Sequence, residues 1–127
     1  MKSPVDLFKL EAELLNALSH PSRLEILEIL RQGECCVCHI QAVLDQRQAY
    51  ISQHLNVLRQ AGLVTNRKDG KRVYYKVSDA RIFELVDGVR AFLQAHPRWQ
   101  LRLTAGPLSI SPKKPCNCPQ CSPIPAC

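Results

Sequence analysis

The 127-residue sequence contains no run of about 18 apolar residues, the length a membrane-crossing helix requires, so no segment is expected to span a bilayer. Its first residues carry charges at Lys2, Asp6, Lys9 and Glu11 and offer no apolar h-region. A secretory leader is therefore not expected, and a cytoplasmic location is. There is no Gly-rich cofactor loop and no internal repeat. No isolated Cys/His/Asp constellation stands in a scaffold large enough to enclose a substrate, so enzymatic activity is not expected. At this length the chain has room for one domain with a modest core.

What is present is a surplus of positive charge and of thiols. The formal net charge is +6 and the pI near 9.1, a balance that favours a polyanionic partner. Of the seven cysteines, Cys35, Cys36 and Cys38 crowd beside His39 within Gly33-Glu34-Cys35-Cys36-Val37-Cys38-His39-Ile40, and the other four lie in a proline-rich tail. In a reducing compartment such cysteines favour metal binding or redox sensing over structural disulfides.

Hydrophobic spacing supplies the element order. Val5, Phe8, Ala12, Leu15 and Leu18 recur at helical period, and Leu7, Leu10 and Leu14 widen that face, which calls for a cover such as a partner subunit. Pro21 suits a first helical turn, and Leu24, Ile26, Leu27 and Leu30 continue a second helix to Gly33. Val37 to Leu44 reads as a short helix. Arg47 to Ala61 reads as a longer one, with Ile51, Leu55, Leu58 and Ala61 inward and Gly62 ending it. The period then changes: Leu63 to Arg67 and Arg72 to Val77 are strand-like and joined through Asp69-Gly70, a hairpin signal. A fifth helix runs from Asp79 to near Pro97 on Ile82, Leu85, Val86, Val89, Phe92 and Leu93. After Thr104 the chain turns to Pro, Ser, Lys and Cys, and this tail is expected to be disordered when unliganded.

The order is helix, helix, short helix, turn, helix, hairpin, helix, and particular stretches sharpen it. Ala17 to Leu24, Glu34 to Ile40, Ser52 to Leu58, Ala61 to Val64 and Gly70 to Tyr75 together resemble the ArsR/SmtB family. The resemblance covers roughly residues 10 to 95. It implies a mainly α fold with a β-hairpin wing, a winged helix-turn-helix of order α-α-α-α-β-β-α, acting as a homodimer through its first and last helices. It further implies a repressor that binds operator double-stranded DNA and releases it on binding metal ions. Residues 1–103 are then the DNA-binding and dimerisation domain, and 104–127 a flexible Pro/Cys-rich tail.

Helix-turn-helix proteins offer the second helix to the major groove. Gln48, Ser52, Gln53 and Asn56 lie away from the Ile51/Leu55/Leu58 face, and Tyr50 and Arg47 are placed to reach phosphates. The family uses the positions of Gln48, Ser52 and Gln53 at DNA. It often has Ser where Arg47 stands here, so Asp45 becomes the expected helix cap. Arg67, Lys68, Lys71 and Arg72 in the hairpin suit sequence-independent phosphate contact.

Cys36 and Cys38 match the Cys-Val-Cys of metalloid- and lead/cadmium-sensing members. At i and i+2 on a regular helix they point to nearly opposite sides, so sharing an ion should distort the first turn of the third helix. Cys35 with Cys38, or Cys35 with His39, could instead share an intact helical face, which makes Cys35 and His39 further candidates. Two thiolates fall short of a tight soft-ion site. Cys116, Cys118 and Cys121, with Cys127 beyond them, are the candidate remaining ligands, because a tail near polyproline II geometry at roughly 3.1 Å per residue spans about 35 Å from Thr104 to Cys116. Cadmium- and lead-sensing relatives draw extra ligands from an N-terminal cysteine segment that is missing here, which favours As(III) or Sb(III) as inducer over Cd(II), Pb(II) or Zn(II). A thiol redox or persulfide switch is the other alternative. A second family site on the last helix is not expected: Asp79 remains, but Arg81, Phe92 and Ala95 hold its other positions. His20 and His54 are expected to be structural.

Overall fold

His20, Pro21 and the glycines punctuate the chain as their backbone chemistry dictates. The computed structural model describes residues 4–103, with side chains from residue 6 onward. Helix α1 (Pro4–Leu18) leads to α2 (Pro21–Leu30). The imidazole of His20 caps α2, its Nδ1 accepting from Ser22 N–H at 3.1 Å, while Pro21 fills the first turn, where an N–H would go unused. Helix α2 ends at Leu30, before the expected Gly33, and a short turn precedes a two-residue strand β1 (Cys35–Cys36). Then come α3 (Val37–Leu44), α4 (Gln48–Gln60), β2 (Val64–Asp69), β3 (Arg72–Val77), α5 (Ile82–Ala95) and a one-turn α6 (Pro97–Gln100).

The end of α4 is a Schellman motif. Gly62, at φ 77°, donates to the Arg59 carbonyl at 3.0 Å, and Leu63 donates to the Leu58 carbonyl at 2.9 Å. This turn delivers Leu63 and Val64 onto the core and starts the wing in register. The two-residue turn at Gly70 and Lys71, with Gly70 at φ 61°, then pairs Asp69 with Arg72 and Val64 with Val77. Strand β1 adds to the other side of β3, so the antiparallel sheet has the order β1-β3-β2.

The core gathers Ile26, Leu27, Leu30, Ile40, Val43, Ile51, Leu55, Leu58, Val64 and Ile82, tying α2, α3 and α4 to the base of the wing. Ala61, expected inward, is exposed. Helix α5 departs further from expectation: only Ile82 and Val86 are buried, while Leu85, Val89 and Phe92 remain largely open, the last two at 58%. Polar contacts seat α5, with Arg31 at the end of α2 holding Asp87 in a two-pronged pair (3.0 and 2.6 Å) and lying over the Phe83 ring. Leu7, Phe8, Leu10 and Leu15 of α1 are likewise exposed. Two apolar faces on the terminal helices thus lie open within a chain whose remaining core is closed.

Candidate nucleic-acid interface and thiol site

Helix α3 ends at Asp45, whose left-handed backbone (φ 53°, ψ 48°) turns the chain sharply into α4. The N-cap position of α4 is Arg47, whose side chain makes no capping bond. Helix α4 buries Ile51, His54, Leu55 and Leu58 and leaves Gln48, Ser52, Gln53 and Asn56 exposed, so the face offered to a groove is the one read from the sequence. Arg59 donates to Asn56 Oδ1 at 2.8 Å, fixing that amide's acceptor.

Tyr50, expected at a phosphate, is half-buried and engaged within the chain. Its hydroxyl shares a 2.7 Å hydrogen bond with Ser22, and its ring meets His54 edge-on at 4.6 Å. His54 also packs against His20 at 4.2 Å and pairs through Nδ1 with Arg23 at 3.3 Å. Burial, together with the neighbouring His20 and Arg23, pushes the His54 imidazole below its usual range. The two histidines are structural, as expected, and seat the recognition helix on α2.

In the wing, Lys68 and Lys71 are exposed and Arg72 half-buried. Arg67 is already engaged: it donates to both Glu34 carboxylate oxygens, at 2.9 and 2.7 Å, and its guanidinium lies 4.7 Å from the Tyr74 ring centre. The paired guanidinium holds the Glu34 carboxyl below the ordinary carboxylate range. Arg67 is thus a strut between the wing and the segment before β1, which the basic composition of the hairpin did not reveal.

The thiols separate by strand geometry. Successive residues of a strand point to opposite faces. Cys35 therefore packs toward the main core and donates to the Gly33 carbonyl, whereas Cys36, only 1% exposed, packs with Tyr74 and Cys38. Cys35 is not brought to the Cys36/Cys38 pair. Nor does that pair need a distorted helix. Cys36 lies outside α3, at its N-cap in extended backbone (φ −76°, ψ 156°), so its side chain swings round to Cys38 over a Cα–Cα distance of 5.3 Å. The two form a disulfide, and α3 stays regular. The two thiols thus meet beside a regular α3 because the helix begins one residue after the first thiol, and the unwinding expected on ion ligation is a separate state.

The Cys36 sulfur also accepts the His39 amide hydrogen at 3.3 Å. Burial lowers the His39 imidazole's pKa, and its Nδ1 is buried without a hydrogen-bond partner. Among the described residues no three His, Cys, Asp or Glu side chains converge as an ion-binding set. Cys116, Cys118, Cys121 and Cys127 lie outside the described residues. At the start of α5, Asp79 is bound by Arg81 through contacts of 2.6 to 3.1 Å, with the carboxyl lowered to about 2, and Phe92 stacks on His96. A carboxylate so engaged, with Phe and Ala in the other positions, does not fit a second ion site.

A cleft of about 240 Å³ joins the two candidate regions. Cys36, Cys38 and Gln41 line one side, Gln48 at the start of α4 another, and Lys71, Arg72 and Val73 of the wing the third. The thiol pair thus opens between the recognition helix and the wing.

A turn-linked helix pair with an exposed polar second helix and a basic hairpin beside it defines a winged helix-turn-helix DNA-binding regulator. Residues 20–66 match the family model described as bacterial regulatory protein, arsR family. The biofilm growth-associated repressor of Agrobacterium fabrum is 39% identical over 84 residues, 66% of this chain and 72% of the relative. The arsenical resistance operon repressor of Escherichia coli is 44% identical over 72 residues, 56% of this chain and 62% of the relative. A homodimeric winged helix-turn-helix domain from Mycobacterium bovis superposes with TM-score 0.65 at 33% identity, covering 76% of this chain and 94% of that one. The chain belongs to the ArsR family of transcriptional regulators.

Proposed function

We propose that this chain is a homodimeric operator-binding repressor whose inducer is trivalent arsenic or antimony, held by Cys36 and Cys38. The observation that carries the reading is the shared cleft: both sulfurs lie together between Gln48 and the Lys71/Arg72 wing. In the reduced protein they supply two adjacent thiolates, and the α3 N-terminus favours negative charge on Cys36. Arsenite, As(OH)₃, condenses with three thiols to As(SR)₃ and three waters, so a third thiol is required. The described residues bring none to the pair. Cys116, Cys118 or Cys121 of the tail is the proposed source, from residues 104–127 acting as a separate strap beside the 1–103 domain. A tail drawn to this cleft would occupy the space between recognition helix and wing, where phosphates must pass. The exposed faces of α1 and α5 support dimerisation through those helices, and a homodimeric structural relative supports a dimer as such.

A second reading has its own observation: Cys36 and Cys38 are joined as a disulfide in the structure. Oxidation to that disulfide would switch the same cleft without an ion and would block ion binding. Titrating the reduced operator complex with arsenite, antimonite, cadmium, lead, zinc and peroxide separates the readings. Release by arsenite or antimonite at the lowest concentration, lost on removing residues 105–127, supports the proposal. Preferential release by peroxide supports the redox reading, and preferential release by cadmium or lead replaces the metalloid with a divalent ion.

A further inference from the structure

Three residues form a single rung across the sheet. Cys36 of β1 stands opposite Tyr74 of β3, and Tyr74 stands opposite Arg67 of β2. Directly opposed residues share a face, so the thiol, the phenol ring and the guanidinium lie in one row. The contacts agree: Cys36 and Tyr74 are buried together, and Arg67 lies 4.7 Å from the centre of the Tyr74 ring. Glu34, two residues before Cys36, closes the row by gripping Arg67 through both carboxylate oxygens. The chain around the thiol pair is therefore fastened to the wing twice, through the β1–β3 ladder and through this side-chain bracket.

We propose that Glu34 is a positioning residue that couples the state of the thiol pair to the wing, acting through Arg67 and Tyr74. The inference rests on the reading of Cys36 and Cys38 as the inducer site. Ligation that moves Cys36 displaces the segment carrying Glu34 and the ring beneath Arg67. Because Glu34 binds Arg67 with fixed bidentate geometry, the displacement is delivered to the middle of β2. Without Glu34 the middle of the outer strand, away from its Val64 anchor in the core, keeps its backbone ladder and the cation–ring contact but loses its side-chain tie to the segment before the thiols, and it can lag behind them. The pair is partly exposed on both sides, 23% for Glu34 and 51% for Arg67, so it adds little to stability. Its loss should be read in coupling and not in unfolding.

The test compares operator affinity with and without saturating arsenite for the reduced full-length protein, Glu34→Gln, Arg67→Lys, and the exchange of Glu34→Arg with Arg67→Glu. Arsenite binding is followed separately by thiolate-to-arsenic absorption. Both single variants should bind arsenite as the parent does. The ratio of operator affinities should fall about fivefold or more, in the range by which such residues modulate coupling, and the exchange should recover part of it. Because Arg67→Lys keeps the charge and loses the bidentate grip, it tests the bracket even where Glu34→Gln folds poorly. An unchanged ratio in the single variants overturns the role of Glu34 alone. Failure of the parent to bind arsenite overturns the inducer reading beneath it.

Discussion

Cys36 and Tyr74 face each other across the β1–β3 ladder, one buried against the other. A residue from the thiol cluster is therefore built into the sheet that carries the wing. Only a single pair of side chains separates this sulfur from the hairpin. The cleft beside them, shared with Gln48, places the recognition helix within the same neighbourhood.

The exposed face of α4 should read bases, and the wing should read charge. Gln53→Ala is expected to relax base preference, at a cost of about 1–3 kcal/mol on the preferred site and little elsewhere. Lys71→Ala or Arg72→Ala should weaken all sequences alike and reduce the salt slope by about one. Binding assays on matched and scrambled operators over a salt series check this, and equal losses on every sequence for all three variants would contradict it.

The strand geometry distinguishes three neighbouring cysteines that composition treats alike. Cys36→Ser and Cys38→Ser should leave ion-free operator binding within about twofold and abolish arsenite-driven release, since a hydroxyl is a poor ligand for a soft ion. Cys35→Ser should retain release, because its side chain lies on the opposite face, toward the core. Loss of release in Cys35→Ser with Cys38→Ser unaffected would show that the ion is held elsewhere.

The apolar faces of the terminal helices make a prediction about assembly. Phe92 and Val89 are 58% exposed in the single chain, so they contribute little to its own core. Phe92→Asp or Val89→Asp should give a folded monomer with helical content retained and operator affinity strongly reduced, whereas Leu55→Ala should cost about 2–5 kcal/mol of stability. Analytical ultracentrifugation with circular dichroism decides it. A dimer persisting in both aspartate variants would remove α5 from the interface.

His54 and His39 predict the sign of the acid response. Both imidazoles are held below the ordinary imidazole value of about 6.5, His54 by burial, His20 and Arg23, and His39 by burial. Below that value the unfolded chain binds protons that the folded protein refuses. Their contribution is therefore complete above about pH 6.5 and is lost as the pH falls through the folded-state values. The unfolding midpoint should drop between about pH 7.5 and about pH 5.5, and His54→Gln should show a shallower drop. An equal slope in the variant would mean that His54 protonates freely in the folded state.

Much of this architecture is legible in the sequence because it rests on period and punctuation. The Ile51/Leu55/Leu58 spacing, Pro21, Gly62 and Asp69-Gly70 each dictate a local conformation, and the structure places elements accordingly. Strand β1 is not legible, since two residues carry no period and Cys35–Cys36 becomes a strand only by pairing with β3. That unseen strand sets the faces of Cys35 and Cys36 and removes the need for a distorted helix. Tyr50 and Arg67 read as phosphate contacts in isolation, and spacing cannot show the partners they also have within the chain, Ser22 and Glu34, 28 and 33 residues away. The half-open face of α5 has a similar origin, because hydrophobic spacing reports that a face wants cover but not whether its own chain supplies it.

The most direct measurement of the central claim is thermodynamic linkage between the two sites. Arsenite affinity is measured for the reduced protein alone and bound to its operator, and operator affinity with and without arsenite. The account predicts the same factor in both directions, on the order of 5- to 150-fold, and a factor of one in Cys38→Ser. Operator DNA that leaves arsenite affinity unchanged, while arsenite still binds through Cys36 and Cys38, would contradict it.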